Sequence, residues 1–127
     1  MAFTSQPSIL IAEDNSSLRY LFARVLMRAG FKVETTDSGD TAFGFLQHNL
    51  PDLIVLDLGL PGRSGVEIVN YLQASPIHIA TQIVVVTGNV QAHSMPELAR
   101  VEYVLLKPVS TRELVSTVTN IFDRCVQ

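Results

Sequence analysis

A single cysteine, Cys125, stands among 127 residues, so no internal disulfide can staple the fold. No apolar stretch approaches the roughly 18 consecutive residues of a membrane span, and no basic and then long apolar N-terminal segment resembles a secretory signal. Both absences fit a reducing, cytoplasmic setting and a chain that does not engage a membrane. Charge of one sign is also scarce. With 9 Lys and Arg against 12 Asp and Glu, the net charge is −3, and the basic residues are dispersed. The clustered positive footprint of a nucleic-acid surface is missing, so direct nucleic-acid binding is not expected. Internal repeats, low-complexity tracts and interior linkers are lacking too. Cys125 lies in an amphipathic C-terminal stretch and reads as a small packing residue, not a reactive thiol.

What is present is a set of short apolar runs, each ending in a chemically competent side chain. Leu53-Ile54-Val55-Leu56 ends in Asp57 and is followed by turn residues, the pattern of a buried strand in a parallel sheet. Ile9-Leu10-Ile11-Ala12 leads to Glu13-Asp14, Ile83-Val84-Val85-Val86 to Thr87, and Val104-Leu105-Leu106 to Lys107. Ligand sites in open α/β sheets lie at such carboxyl ends. Four strand ends would thus present carboxylates, a hydroxyl and an ammonium to one edge of one sheet.

Between the runs the spacing is helical. Asn15 or Ser16 can cap a helix that buries Leu18, Leu21, Phe22, Val25, Leu26 and Ala29 and stops at Gly30. Phe31 to Thr35 reads as a strand, and Ser38 or Asp40 opens a helix burying Ala42, Phe45 and Leu46. The loop Gly59 to Ser64 leads to a helix with Val66, Ile68, Val69 and Leu72 inward, and a last helix from about Thr111 buries Leu114, Val118, Ile121 and Phe122. Residues 1–7 are expected to form a flexible N-terminal arm and residues 8–127 a single domain of five βα units. Right-handed crossovers then give a parallel sheet covered by helices on both faces. His48, His78 and His93 have no metal-ligand spacing and read as exposed or structural. Gly59, Gly62 and Gly65 are turn glycines, since their spacing is not a dinucleotide fingerprint.

Glu13-Asp14, Asp57, Thr87 and Lys107-Pro108 in this order, with Pro61 and Gly65, resemble the pattern of the response-regulator receiver domains of two-component systems, the CheY-like family. The resemblance covers essentially the whole chain. It implies a flavodoxin-like (βα)5 three-layer sandwich with strand order 2-1-3-4-5. It implies a phosphoacceptor, Asp57, charged by a sensor histidine kinase or histidine phosphotransfer protein, and a switch in binding to an output protein or domain. It also implies a cis bond at Lys107-Pro108 and an output face of fourth helix, fifth strand and fifth helix, through which a homodimer can form. Clustered carboxylates repel one another and bind hard cations, so Mg²⁺ is the expected cofactor. Asp14 and Asp57 would supply direct oxygens, Glu13 would act through water, and the Gly59 carbonyl would complete the protein ligands. Thr87 and Lys107 would hold the phosphoryl oxygens.

Two other functions compete with this reading. A haloacid-dehalogenase-type phosphatase also uses a strand-end aspartate, but it needs a second aspartate two residues later, where this chain has Gly59. A degenerate receiver serving as a binding scaffold would lack the phosphoacceptor, the lysine or an acidic residue, and all are present. The expectation is therefore a signalling domain that promotes its own phosphorylation and dephosphorylation, not a turnover enzyme. The family's aromatic switch position, three residues before the lysine, holds Val104, with Tyr103 one residue earlier. Side chains alternate along a strand, so Tyr103 would face away from Val104, as a partner contact, against the last helix or simply over core. Coupling would then rely on the Thr87 to Pro96 loop. The fourth helix is expected to start late, near Pro96, capped by Ser94 or Met95.

Overall fold

The computed structural model describes residues 6–126, with side chains to Arg124. The reading of Cys125 as a packing residue, and of Met1 to Ser5 as an arm, falls outside the described set. Of the remaining arm, Gln6 donates to the Gly30 carbonyl at 2.9 Å and the Pro7 carbonyl accepts from Lys32 at 3.0 Å.

Five strands, β1 (Ser8–Ala12), β2 (Lys32–Thr36), β3 (Leu53–Asp57), β4 (Gln82–Thr87) and β5 (Tyr103–Leu106), form one parallel sheet of order β2-β1-β3-β4-β5. Helices α1 (Ser16–Arg28), α2 (Gly39–His48), α3 (Gly65–Ala74) and α4 (Thr111–Val126) cover it. The alternation of the apolar runs sorts the core into two layers. Ile9, Ile11, Leu53, Val55, Val84 and Val86 pack on one side with Phe22 and Leu26 of α1 and Leu114, Val118 and Ile121 of α4. Leu10, Ile54, Leu56 and Val85 pack on the other with Ala42, Leu46, Ile68, Val69 and Leu72 of α2 and α3. All five residues of β3 are buried, including Asp57. Each fully buried Leu or Ile contributes about 1.5–3 kcal/mol over an exposed one, so the central strand is held from both faces.

Local signals set the boundaries. The Asn15 side chain caps α1 by accepting from the Leu18 amide, and Ser38 caps α2 through the Thr41 amide. Ser64 and Glu67 form a reciprocal capping box at the start of α3, which fixes where the loop after Asp57 ends. Gly30 adopts φ 104°, the left-handed conformation that terminates α1.

Several expectations are corrected. The second strand begins at Lys32 and ends at Thr36, one residue later than the sequence reading. In α1, Leu21 and Ala29 are exposed and Ala23 is buried in their place, because the stripe that the sheet and α4 cover is narrower than the apolar pattern. Val66 of α3 is only half-buried. The largest difference is the fourth helix. Two 3₁₀ turns, Ala92–Ser94 and Pro96–Leu98, stand where it was expected, and the described residues hold four α-helices, not five. Pro96 does open a turn, but it runs three residues, and neither Ser94 nor Met95 caps it with a side chain. Pro96 lacks the backbone donor that a helix continuing from the Ala92–Ser94 turn would need, so the segment divides there.

His78 is buried and structural: its Nε2 donates to the Leu46 carbonyl at 2.8 Å, and its Nδ1 shares a 2.9 Å hydrogen bond with the Ser75 hydroxyl. His48 and His93 are exposed.

Candidate functional site

The parallel register brings the four strand ends to one edge. Asp57 lies level with Val86 on β4, Thr87 level with Leu106 on β5, and the Lys107 amide donates to the Thr87 carbonyl at 2.8 Å. The Glu13 amide continues the ladder to the Thr36 carbonyl of β2 at 3.1 Å. Glu13, Asp57 and Thr87 are buried, while Asp14 is exposed. Carboxylate oxygens of Glu13, Asp14 and Asp57 lie within 4.8 Å of one another. Three hard oxygen donors at that spacing are a donor set for a hard divalent cation.

Lys107 closes the cluster. Its Nζ lies 3.0 Å from Glu13 Oε1 and 3.3 Å from Asp57 Oδ2. The bond between Lys107 and Pro108 is cis, as the family resemblance implied. Asp57 Oδ1 accepts from the Gly59 amide at 3.1 Å, so the two oxygens of this carboxylate have different partners. The Thr87 hydroxyl accepts from the Asn89 amide at 3.1 Å and keeps its own proton for donation.

Burial pushes the Glu13 carboxyl above its ordinary value, and the charge of Asp57 adds to this, against the pull of the Asn15 amide and the Lys107 ammonium. For Lys107, burial works to lower the ammonium's value, but the hydrogen bond to Glu13 and the charges of Asp57 and Glu13 outweigh it and hold it above the ordinary one. The ammonium is thus firmly charged between two carboxylates.

The loop after Asp57 is pinned on both sides. Its Pro61 carbonyl accepts from the Gly39 amide at 2.9 Å, and Arg63 pairs with Asp40 at 3.5 Å while its guanidinium lies 3.8 Å from the centre of the Phe43 ring. Gly65 packs so closely that a Cβ there would stand 2.5 Å from Leu58 Cα and 2.6 Å from the Asp57 carbonyl oxygen. Gly39 admits no side chain either, because its Cβ would fall 1.6 Å from the Arg63 carbonyl oxygen.

Three supporting residues were not singled out in the sequence. Arg19 Nη1 donates to the Glu13 carbonyl at 2.9 Å and reaches the Asp14 carbonyl at 3.4 Å. A helical side chain points back toward its N-terminus, so a cation in the first turn of α1 was the available signal. Asn89, two residues after Thr87, is a turn-forming residue next to a strand end. Arg63 offered no local signal, since its partners lie on α2. Tyr103 and Val104 do face opposite sides. Tyr103 packs with the α1/α4 layer and its hydroxyl accepts from Arg124 Nη1 on α4, while Val104 packs with the α2/α3 layer. Tyr103 lies level with Val84, away from Thr87.

The comparisons with known proteins bear on the family of the chain. The family model described as the response regulator receiver domain matches residues 9–119. A phosphate regulon transcriptional regulatory protein, PhoB, of Rhizobium meliloti is 35% identical over 120 residues, covering 93% of this chain and 53% of the relative. The regulatory protein LuxO of Vibrio vulnificus is 31% identical over 112 residues, covering 87% of this chain and 24% of the relative. The chain thus spans about half or less of the curated relatives it matches. Among solved structures, a CheY-like response regulator receiver domain from Methylobacillus flagellatus superposes with a TM-score of 0.80 at 27% identity, covering 92% of this chain and 99% of the other. The chemotaxis response regulator CheY4 of Vibrio cholerae does so with a TM-score of 0.83 at 25% identity over 92% and 99%. The family model covers the chain from β1 into α4, and the chain belongs to the response-regulator receiver domains of two-component systems.

Proposed function

We propose that residues 8–127 act as a single receiver in which Asp57 accepts a phosphoryl group from a sensor histidine kinase or histidine phosphotransfer protein and thereby switches binding to an output partner. The observation that supports this most is the asymmetry of the Asp57 carboxylate. Oδ1 is held by the Gly59 amide and Oδ2 faces the Lys107 ammonium, so the group is buried and oriented in the manner of a nucleophile. One carboxylate oxygen forms the new P–O bond as the donor's P–N bond breaks and its imidazole departs. Lys107 and the Thr87 hydroxyl bind the oxygens of the transferred group, and positioning and electrostatics supply the catalysis.

Mg²⁺ is the proposed cofactor: it would offset the charge that accumulates between carboxylates and phosphoryl oxygens. Asp14, Asp57 and the Gly59 carbonyl would hold it, with Glu13 acting through water. Arg19 fixes the main chain from which Glu13 and Asp14 project. The chain is proposed to work in the cytoplasm, and no helix among the described residues is long and apolar enough to cross a membrane. The output face, open to a partner or a second copy, would be segment 88–98 with β5 and α4.

Incubation with acetyl phosphate and Mg²⁺ tests the reading. A stable gain of one phosphoryl mass is expected. Continuous phosphate release at enzyme rates would instead make the chain a phosphatase, and no modification at all would make it a binding scaffold.

A further inference from the structure

Asn89 ties the segment from Gly88 to Leu98 to the Thr87 end of β4. This asparagine uses all four of its hydrogen-bonding groups within the nine residues from Thr87 to Met95. Its amide donates to the Thr87 hydroxyl at 3.1 Å, and its carbonyl accepts from Ala92 at 3.1 Å. Its side-chain Oδ1 accepts from the Gln91 amide at 2.9 Å, and its Nδ2 donates to Met95 Sδ at 3.6 Å. Asn89 is nevertheless exposed, so packing does not hold it. Its partners are the two 3₁₀ turns: Gln91 and Ala92 open the first and Met95 precedes the second. Short 3₁₀ turns have poorer hydrogen-bond geometry than an α-helix and rearrange at low cost. They are anchored beneath by Ala92 and Leu98, both buried in the α2/α3 layer, with Met95 packed against it.

The residues that could otherwise carry a signal from Thr87 are engaged elsewhere. Val104, half-buried, packs against the α2/α3 layer, and Tyr103 is tied to Arg124 on the far face. The geometry points to Asn89 as the residue that couples the position of the Thr87 hydroxyl to the surface segment 88–98, the part of the molecule a downstream partner reads. The inference rests on Asp57 being phosphorylated. When the Thr87 hydroxyl shifts to donate to a phosphoryl oxygen, its lone pair leaves the Asn89 amide. The Asn89 side chain then loses its alignment with Gln91 and Met95, and both turns are released together. Asn89 is a positioning residue: it touches no reacting atom.

Hydrogen exchange of the full chain separates the steps. In unmodified protein, Thr87→Ala removes the acceptor and should speed exchange in residues 89–95 about fivefold, the effect of losing one net hydrogen bond. Asn89→Ala should speed exchange at Gln91 through Met95 to a similar degree, whereas Asn89→Asp, which keeps Oδ1, should restore protection at Gln91 alone. In the wild type, phosphorylation with acetyl phosphate and Mg²⁺ should speed exchange from Gln91 to Met95; in phosphorylated Asn89→Ala, whose residue-89 amide still faces Thr87, it should add nothing over that stretch. Unchanged exchange in unmodified Thr87→Ala, or a wild-type response in phosphorylated Asn89→Ala, would overturn the coupling. The Thr87→Ala arm needs no phosphorylation, so it stands apart from the receiver reading. A wild-type chain that takes up no phosphoryl group would defeat that reading and the relay with it.

Discussion

Two glycines predict opposite outcomes for one substitution. Gly65 opens α3, where an added Cβ meets Leu58 Cα at 2.5 Å and the Asp57 carbonyl oxygen at 2.6 Å. Both are backbone atoms with no rotamer to change. Restoring ordinary contact at about 3.5–4 Å requires the start of α3 or the end of β3 to move by about 1 Å. Overpacking of that kind costs about 1–3 kcal/mol, and for a domain of this size each kcal/mol lowers Tm by about 3–5 °C. Gly65→Ala should therefore melt about 5–10 °C below wild type. Gly44, inside α2, has no atom within 4 Å of its would-be Cβ. There alanine only removes the conformational freedom of glycine, and Gly44→Ala should gain about 0.5–1 kcal/mol, or about 2–5 °C. The chain has no tryptophan, so far-UV circular dichroism is the assay. The Asp57 carbonyl is one of the displaced atoms, so Gly65→Ala should also slow phosphoryl uptake by about 10–100-fold, as misplacements of this size do. A Gly65→Ala protein with wild-type melting, or a Gly44→Ala protein destabilised as much as Gly65→Ala, would refute the reasoning.

Asp14→Asn should raise Tm by a few degrees in chelator, since it removes one of three carboxylates within 4.8 Å at an exposed position worth about 1 kcal/mol or less; an unchanged or lower Tm would count against repulsion in the cluster. Mg²⁺ affinity should fall with falling pH, beginning above the ordinary glutamate value of 4.5, because Glu13 is raised and its proton competes with the cation; titrations in which affinity stays flat until the pH reaches that ordinary value would count against it. The sign for folding is the reverse: native Glu13 holds its proton more tightly than the unfolded chain does, so stability without metal declines as pH rises through the same window. Tyr103→Ala should leave phosphorylation of Asp57 nearly unchanged, since Tyr103 lies level with Val84 and bonds to Arg124; a folded variant that loses phosphorylation would restore an aromatic switch.

The sheet and its strand-end residues were legible because each buried strand is a short unbroken apolar run and the side chain after it cannot avoid the sheet edge. Strand order 2-1-3-4-5 came with the family resemblance and agrees with the register. What sequence missed depends on groups distant along the chain or on main-chain partners. Arg63 needs Asp40 and Phe43 of α2, Arg19 reaches carbonyls, and Asn89 joins a hydroxyl to an amide and a thioether. The fourth helix failed for a different reason. Its apolar residues Ala92, Met95 and Leu98 keep a helical spacing and do pack inward, but Pro96 splits the segment into two turns. Leu21 shows the same limit: periodicity marks a stripe, and the neighbouring elements decide how much of it is covered.

The central claim is that Asp57 alone takes the phosphoryl group. Intact-mass measurement of wild type and Asp57→Asn, each incubated with acetyl phosphate and Mg²⁺, tests it most directly. The wild type should gain one phosphoryl group and the variant none. Equal uptake by the two proteins, or no uptake by the wild type, would contradict it.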